Sequence, residues 1–230
     1  MEIYLEDPGC RVQLVENTRA RRFVLRLAPG GGGALLTHPP GVRRREIDQF
    51  LMRHSGWLRK ALDKAGPVVT IDVGAQIPID GVLREIVHDP KRRKAPTLSD
   101  NSLQLFGRGA LGPKALVFLK ARARDQLVPA ARSYAKELGR EVGPVSLRDT
   151  RSRWGSCSST GALSFSWRLV MAPVEVQEYV AAHEAAHLVE MNHSSRFWAV
   201  VDRIFPGWEV QREWLKREGR GLHNYRFNSD

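Results

Sequence analysis

Cysteine is scarce in this chain: Cys10 and Cys157 are the only two in 230 residues. Two thiols do not build a disulfide scaffold, which sets the chain apart from small secreted domains held by bridges. The spacing of a cysteine-based zinc finger is absent too. No run of about 18 apolar residues occurs, so no membrane-spanning helix and no membrane partner are expected. The opening residues, Met-Glu-Ile-Tyr-Leu-Glu-Asp, are acidic and short of apolar side chains, unlike a secretory signal. These absences predict a cytoplasmic location. No internal repeat is visible, and no aromatic-rich strand of the RNA-recognition type appears.

What is present is an ordinary globular composition, 42% hydrophobic, in a length suited to one large domain or two small lobes. The net charge is +11. It is spread along the chain, +6 over residues 1–112 and +5 over 113–230. Two local clusters, Arg43-Arg44-Arg45 and Lys91-Arg92-Arg93-Lys94, have the chemistry to contact phosphates. A solvated arginine-rich surface explains them as well. A nucleic-acid partner is therefore compatible with the sequence and not demanded by it.

The most informative stretch is His183-Glu184-Ala185-Ala186-His187. On a helix, residues four apart differ by about 40° in azimuth and about 6 Å along the axis. His183 and His187 then project side by side, and two neutral imidazoles so placed can grip one Zn2+. Glu184 sits beside the metal position, where a carboxylate can take a proton from water. Pro173 suits a first helical turn, and Val176, Val180, Ala181 and Leu188 recur at roughly helical spacing.

A catalytic zinc site usually has three protein ligands. His193 is the leading third candidate. It works only if the helix ends between His187 and His193, because a continuing helix would turn it about 120° away. Asn192 is the expected left-handed stop, with Ser194 or Ser195 capping the next helix. Glu190 is the competing ligand, though about 10 Å along the axis from His183 on a straight helix. Its other expected roles are partner to a ligand or carboxylate facing the substrate.

The run from His183 to Trp198, with Leu188-Val-Glu-Met-Asn-His193-Ser-Ser-Arg-Phe-Trp198 completing it, resembles the YgjP-like metallopeptidases, relatives of the SprT-like proteins. Arg153-Trp-Gly-Ser-Cys157, Ser166-Trp-Arg-Leu169 and Ala172-Pro173 agree. So does the N-terminal half, with its basic strand from Arg19 to Leu27, Pro40 before a helix, and Trp57 late in that helix. The resemblance implies His183, His187 and His193 as metal ligands and Glu184 as general base. Ala185-Ala186 departs from the bulkier residues often found there, without touching a chemical position.

The pattern along the chain predicts an α+β fold. Strands are expected over residues 10–37, with Gly30 to Gly33 as a turn, then a helix from about Arg43 to Leu62. Strand-like pieces follow to Phe106, including a turn at Asp80-Gly81. Helices are expected from Lys114 to Leu138, kinked or broken at Pro129, and from about Trp208 to Glu218. Strands are expected at 145–147 and 162–170. This gives an N-terminal β-rich lobe with one helix (1–112). A C-terminal helical lobe (113–230) comes next, resembling zincins, with a small sheet beside the His-Glu-x-x-His helix.

Residues 162–168 are the expected edge strand for binding extended substrate. Trp154 and Trp167 are expected as core anchors. Cys157 is expected as a buried small residue, with a fourth zinc ligand as the alternative. Arg153 and Arg168 are both candidates to stabilise an oxyanion. His38, His54, His88 and His223 read as surface residues. The expected function is a zinc-dependent peptidase acting on protein or peptide. A DNA-associated protease of SprT type, or a non-catalytic zinc-binding scaffold, are the alternatives.

Overall fold

A computed structural model describes residues 1–28 and 33–227. Of the turn expected at Gly30 to Gly33, the part through Gly32 lies outside the described residues, and Gly33 opens a strand. The chain forms two compact units, Met1–Val69 and Thr70–Asp230, and its class is α+β.

In the first unit, β1 (Glu2–Leu5), β2 (Cys10–Glu16), β3 (Val24–Leu27) and β4 (Gly33–His38) form one sheet in the order β1-β2-β4-β3. In β2, Cys10, Val12 and Leu14 are buried while Arg11 and Gln13 face out, the period-two pattern of a half-covered sheet. Helix α1 (Arg44–Ala65) buries Ile47, Leu51 and Leu58 against that face. Glu46 opens the helix by accepting the Arg43 backbone N–H at 2.8 Å.

Strand β5 (Val69–Thr70) leads into the second unit. Its first sheet holds β6 (Gln76–Ile79), β7 (Val82–Asp89), β8 (Thr97–Leu98) and β9 (Ser102–Phe106), in the order β6-β7-β9-β8. The β6–β7 hairpin closes at Asp80-Gly81, both with positive φ, as the Asp-Gly pair predicts. The hairpin tip joins this sheet to later parts of the chain. The Asp80 carboxylate accepts hydrogen bonds from Arg122 (Nε, 2.8 Å) and from the side-chain amides of Gln126 (3.0 Å) and Gln177 (3.3 Å). Gly81 has no Cβ because Pro173 lies against it; a Cβ there would fall 2.8 Å from the Pro173 Cα.

Helix α2 (Leu111–Glu137) runs through Pro129 without a break. One missing N–H is tolerated because the helix is held by its buried stripe of Leu119, Ala123, Leu127, Ala131 and Ala135. The small residues let α3 (Val174–Ala186) pack close, through its own buried Ala181, Ala182, Ala185 and Ala186.

A second sheet contains β10 (Val145–Arg148), β11 (Gly155–Cys157) and β12 (Leu163–Ser166), ordered β10-β12-β11. β12 pairs with β10 in parallel and with β11 antiparallel, so it is the central strand. The expectation of an edge at 162–168 is corrected: the edge beside α3 is β11. The strand also ends at Ser166, where a 3-10 turn (Trp167–Met171) begins, every residue of it buried. The chain finishes with α4 (Ser195–Ile204), α5 (Glu209–Glu218) and β13 (Tyr225–Arg226).

Buried Arg168 explains the Ser-Trp-Arg-Leu motif. Its guanidinium bonds the Asp149 carboxylate (2.7 and 3.2 Å) and the carbonyls of Leu222 (3.0 Å) and Tyr225 (3.3 Å). It also stacks 4.6 Å over the Trp167 ring. A buried cation with this many partners ties the C-terminal segment to the sheet. It does not line the cleft, so Arg168 is withdrawn as an oxyanion group.

Candidate metal centre

Helix α3 stops at the second histidine. His187 is its C-cap, and the N–H groups of Leu188 and Val189 turn back three residues to the carbonyls of Ala185 and Ala186 (both 3.0 Å). The chain then reverses and presents His193 toward the helix it has left. Asn192 is not left-handed: among the described non-glycine residues only Asp80 has positive φ. Its side chain instead accepts the Ser194 N–H at 3.1 Å, closing a local turn. Ser194 takes the N-cap position of α4, without a side-chain capping bond.

The three histidines meet. One ring nitrogen from each of His183, His187 and His193 lies within 4.8 Å of the others. The Nε2 atoms of His183 and His193 are 3.0 Å apart. Nitrogens about 2.0–2.1 Å from a tetrahedral zinc would be about 3.3–3.4 Å apart, so this spacing nearly fits. His187 Nδ1 donates to the Glu190 carbonyl at 3.1 Å, which fixes its tautomer and leaves Nε2 as the free lone pair. Glu190 therefore serves through its backbone. Neither its carboxylate nor Cys157 joins the histidine cluster.

Phe197 makes the floor of the centre. Its buried ring lies 4.9, 4.4 and 4.7 Å from the rings of His183, His187 and His193. Trp198 flanks His183 and His193 and stacks on Trp208. This apolar setting favours neutral imidazole, the form that binds metal. Burial, then His187 and His193, push His183 down to about 3. Burial also lowers His187.

Glu184 is 5% exposed, and its Oε2 is buried without a hydrogen-bond partner. Burial pushes its carboxyl up to about 8, against the opposing field of Arg153. Gly155 lies directly over it. A Cβ at 155 would stand 2.5 Å from Cγ and 2.7 Å from Cδ of Glu184, so only glycine leaves that side chain its place. An unpartnered carboxyl beside three converging imidazoles fits a bound divalent cation and the water it would bring.

The cleft holds about 420 Å³ and is lined by Arg153, Trp154, Tyr179, Met191 and Leu215 besides the site residues. Tyr179 was legible only as a helical neighbour of His183, one turn earlier. Its ring is 5.8 Å from that of His183, and burial holds its hydroxyl up at about 12. Trp154 lines the cleft and stacks on His223 at 5.2 Å, over Gly219. Trp167, 1% exposed, is the core anchor of the pair. Cys157 is half-buried, and burial raises its thiol.

The other histidines are not free surface groups. His38 is 8% exposed and bonded to Pro39 O, His54 stacks on Phe50, and His88 bonds Gly107 O. Burial takes His223 down to about 4.

The raised Glu184 carboxyl predicts a pH effect in metal-free protein. Unfolded, a glutamate ionises near 4.5; folded, Glu184 ionises near 8. Its contribution is full below the lower value and is lost as pH rises through the higher. The histidines are common to wild type and Glu184→Gln, so the comparison of the two proteins isolates the carboxyl. Between pH 7 and 8.5, chelator-treated wild type should lose on the order of 1–2 kcal/mol relative to Glu184→Gln. Parallel stability curves for the two proteins over that range would contradict the burial of an unpaired carboxyl.

The family model described as YgjP-like, metallopeptidase domain matches residues 21–218. No curated protein and no solved structure matches the chain. Among the described residues, no helix is long and apolar enough to cross a membrane.

Proposed function

The chain belongs to the YgjP-like metallopeptidase family, and from that premise we propose a zinc-dependent peptidase with Glu184 as its general base. The observation that carries this reading is the unpartnered Glu184 carboxyl beside three converging histidine nitrogens. His183 and His193 would hold the ion through Nε2, and His187 through the nitrogen left free by its bond to Glu190. A bound zinc would supply Lewis-acid polarisation of a carbonyl and lower the pKa of water.

Glu184 accepts the proton of the attacking water and passes it to the leaving amine. Its buried setting holds proton affinity near neutrality before any cation's field is added, which suits a group that must take and return a proton. Among the described residues that line the cleft, Arg153 is the one lysine or arginine, and it would offset charge developing on the carbonyl oxygen.

Strand β11 would align the substrate. Ser156 pairs with Ser164 of β12, Trp154 O accepts from Ser166 N, and Ser158 N donates to Ala162 O just before that strand. In an antiparallel ladder the alternate residues, Gly155 and Cys157, then turn their N–H and C=O groups to the open edge. An extended peptide can add there as a strand. Among the described residues the cluster holds three protein ligands and no fourth, which favours catalysis over a structural scaffold.

The test is cleavage of a denatured protein mixture by zinc-loaded chain. Activity should disappear with chelator and return with zinc. Activity unaffected by chelation would overturn the reading.

A further inference from the structure

The outer face of the β10-β12-β11 sheet carries polar groups that the chemistry above does not use. Ser146, Ser164 and Ser156 stand in register across the three strands. The other face of the same strands, through Leu163 and Phe165, packs into the core. The three hydroxyls make no hydrogen bond within the described residues. With Arg148, Thr150 and Arg153 they line a groove of about 690 Å³. Arg148 and Arg153 form no salt bridge among the described residues, and the neighbouring Asp149 is engaged by Arg168. The Arg148 guanidinium, that of Arg153 at the border with the cleft, and a row of hydroxyls form an anion-recognising surface.

The groove shares Arg153, Ser156 and Cys157 with the catalytic cleft, so β11 is the wall between them. A peptide added along the free edge of β11 has side chains alternating between the two faces. Residues opposite Gly155 or Cys157 point to the Glu184 side; a residue opposite Ser156 points into the groove. We infer that this groove is a specificity pocket for a substrate carboxylate, carried on an acidic side chain or on the peptide's C-terminus. The inference rests on the peptidase reading. Two cations beside a peptide edge suit a single carboxylate better than a nucleic-acid backbone, which is held by a track of many phosphate contacts.

The test has a cleavage arm and a binding arm. Zinc-loaded wild type, Arg148→Gln and Arg148→Glu are given degenerate peptide pools that are acidic, neutral or basic, each with free and amidated C-termini. The same pools, fluorescently labelled, are titrated onto the zinc-loaded Glu184→Gln chain with and without Arg148→Glu. The acidic pool should be preferred about fivefold over the neutral pool in both arms. Arg148→Gln should bring the pools level, and Arg148→Glu should favour the basic pool. Preference that survives amidation assigns the carboxylate to a side chain; preference lost on amidation assigns it to the C-terminus. Cleavage without charge preference would overturn the pocket and leave the peptidase. Binding of the acidic pool without wild-type cleavage would leave the pocket and overturn the peptidase. A single-stranded oligonucleotide that displaces the acidic pool at lower concentration than unlabelled acidic peptide would overturn it in favour of phosphate.

Discussion

Glu184→Gln is expected to lower peptide hydrolysis by about 10²–10⁴-fold while leaving the fold and the metal in place. The substitution is nearly isosteric, so the tight contact with Gly155 is kept. None of the three histidine nitrogens is touched. What is lost is the basic oxygen, because an amide cannot take a proton from water and return it to an amine. Above pH 7 the metal-free variant should be at least as stable as wild type, since the buried amide has no proton to lose. Paired assays of peptide cleavage and bound zinc on the purified variant separate these statements. Full activity in the variant would remove Glu184 from the mechanism.

Much of this was written in local sequence. The alternation of Cys10, Val12 and Leu14 specifies a half-covered strand, and Ile47, Leu51 and Leu58 share one face of α1. The Asp80-Gly81 pair specifies its hairpin. The pentapeptide at 183–187 brings its side chains together because helical spacing is a local rule. Even the reversal of the chain after His187 is implied, since no continuing helix could return His193.

What was not legible depends on non-local pairing. The edge identity of β11 arises because β10 pairs in parallel with β12 from across the connection, which makes β12 central. No periodicity encodes that order. The Gly155 contact with Glu184, the stacking of His223 on Trp154 and the clamp on Arg168 join residues tens of positions apart. Asn192 misled for a different reason. Its side chain satisfies a local donor, which asparagine does in turns as readily as it adopts a left-handed backbone.

His193→Ala carries the second large effect. His193 is exposed and lies in the turn before α4, so its removal leaves the packed core alone. It supplies one of three nitrogens, and its Nε2 is 3.0 Å from that of His183. Loss of a residue that merely orients a ligand costs about 10–100-fold in metal affinity, and loss of a ligand itself should cost more. Glu190→Ala is the matched control. It deletes a carboxylate outside the cluster and keeps the backbone carbonyl that His187 uses.

The most direct measurement is bound-metal content of untagged chain by mass spectrometry, for wild type, His193→Ala and Glu190→Ala side by side. The three-histidine centre predicts about one zinc per chain in wild type and in Glu190→Ala, and almost none in His193→Ala. Zinc retained without His193, or lost without the Glu190 carboxylate, would contradict it.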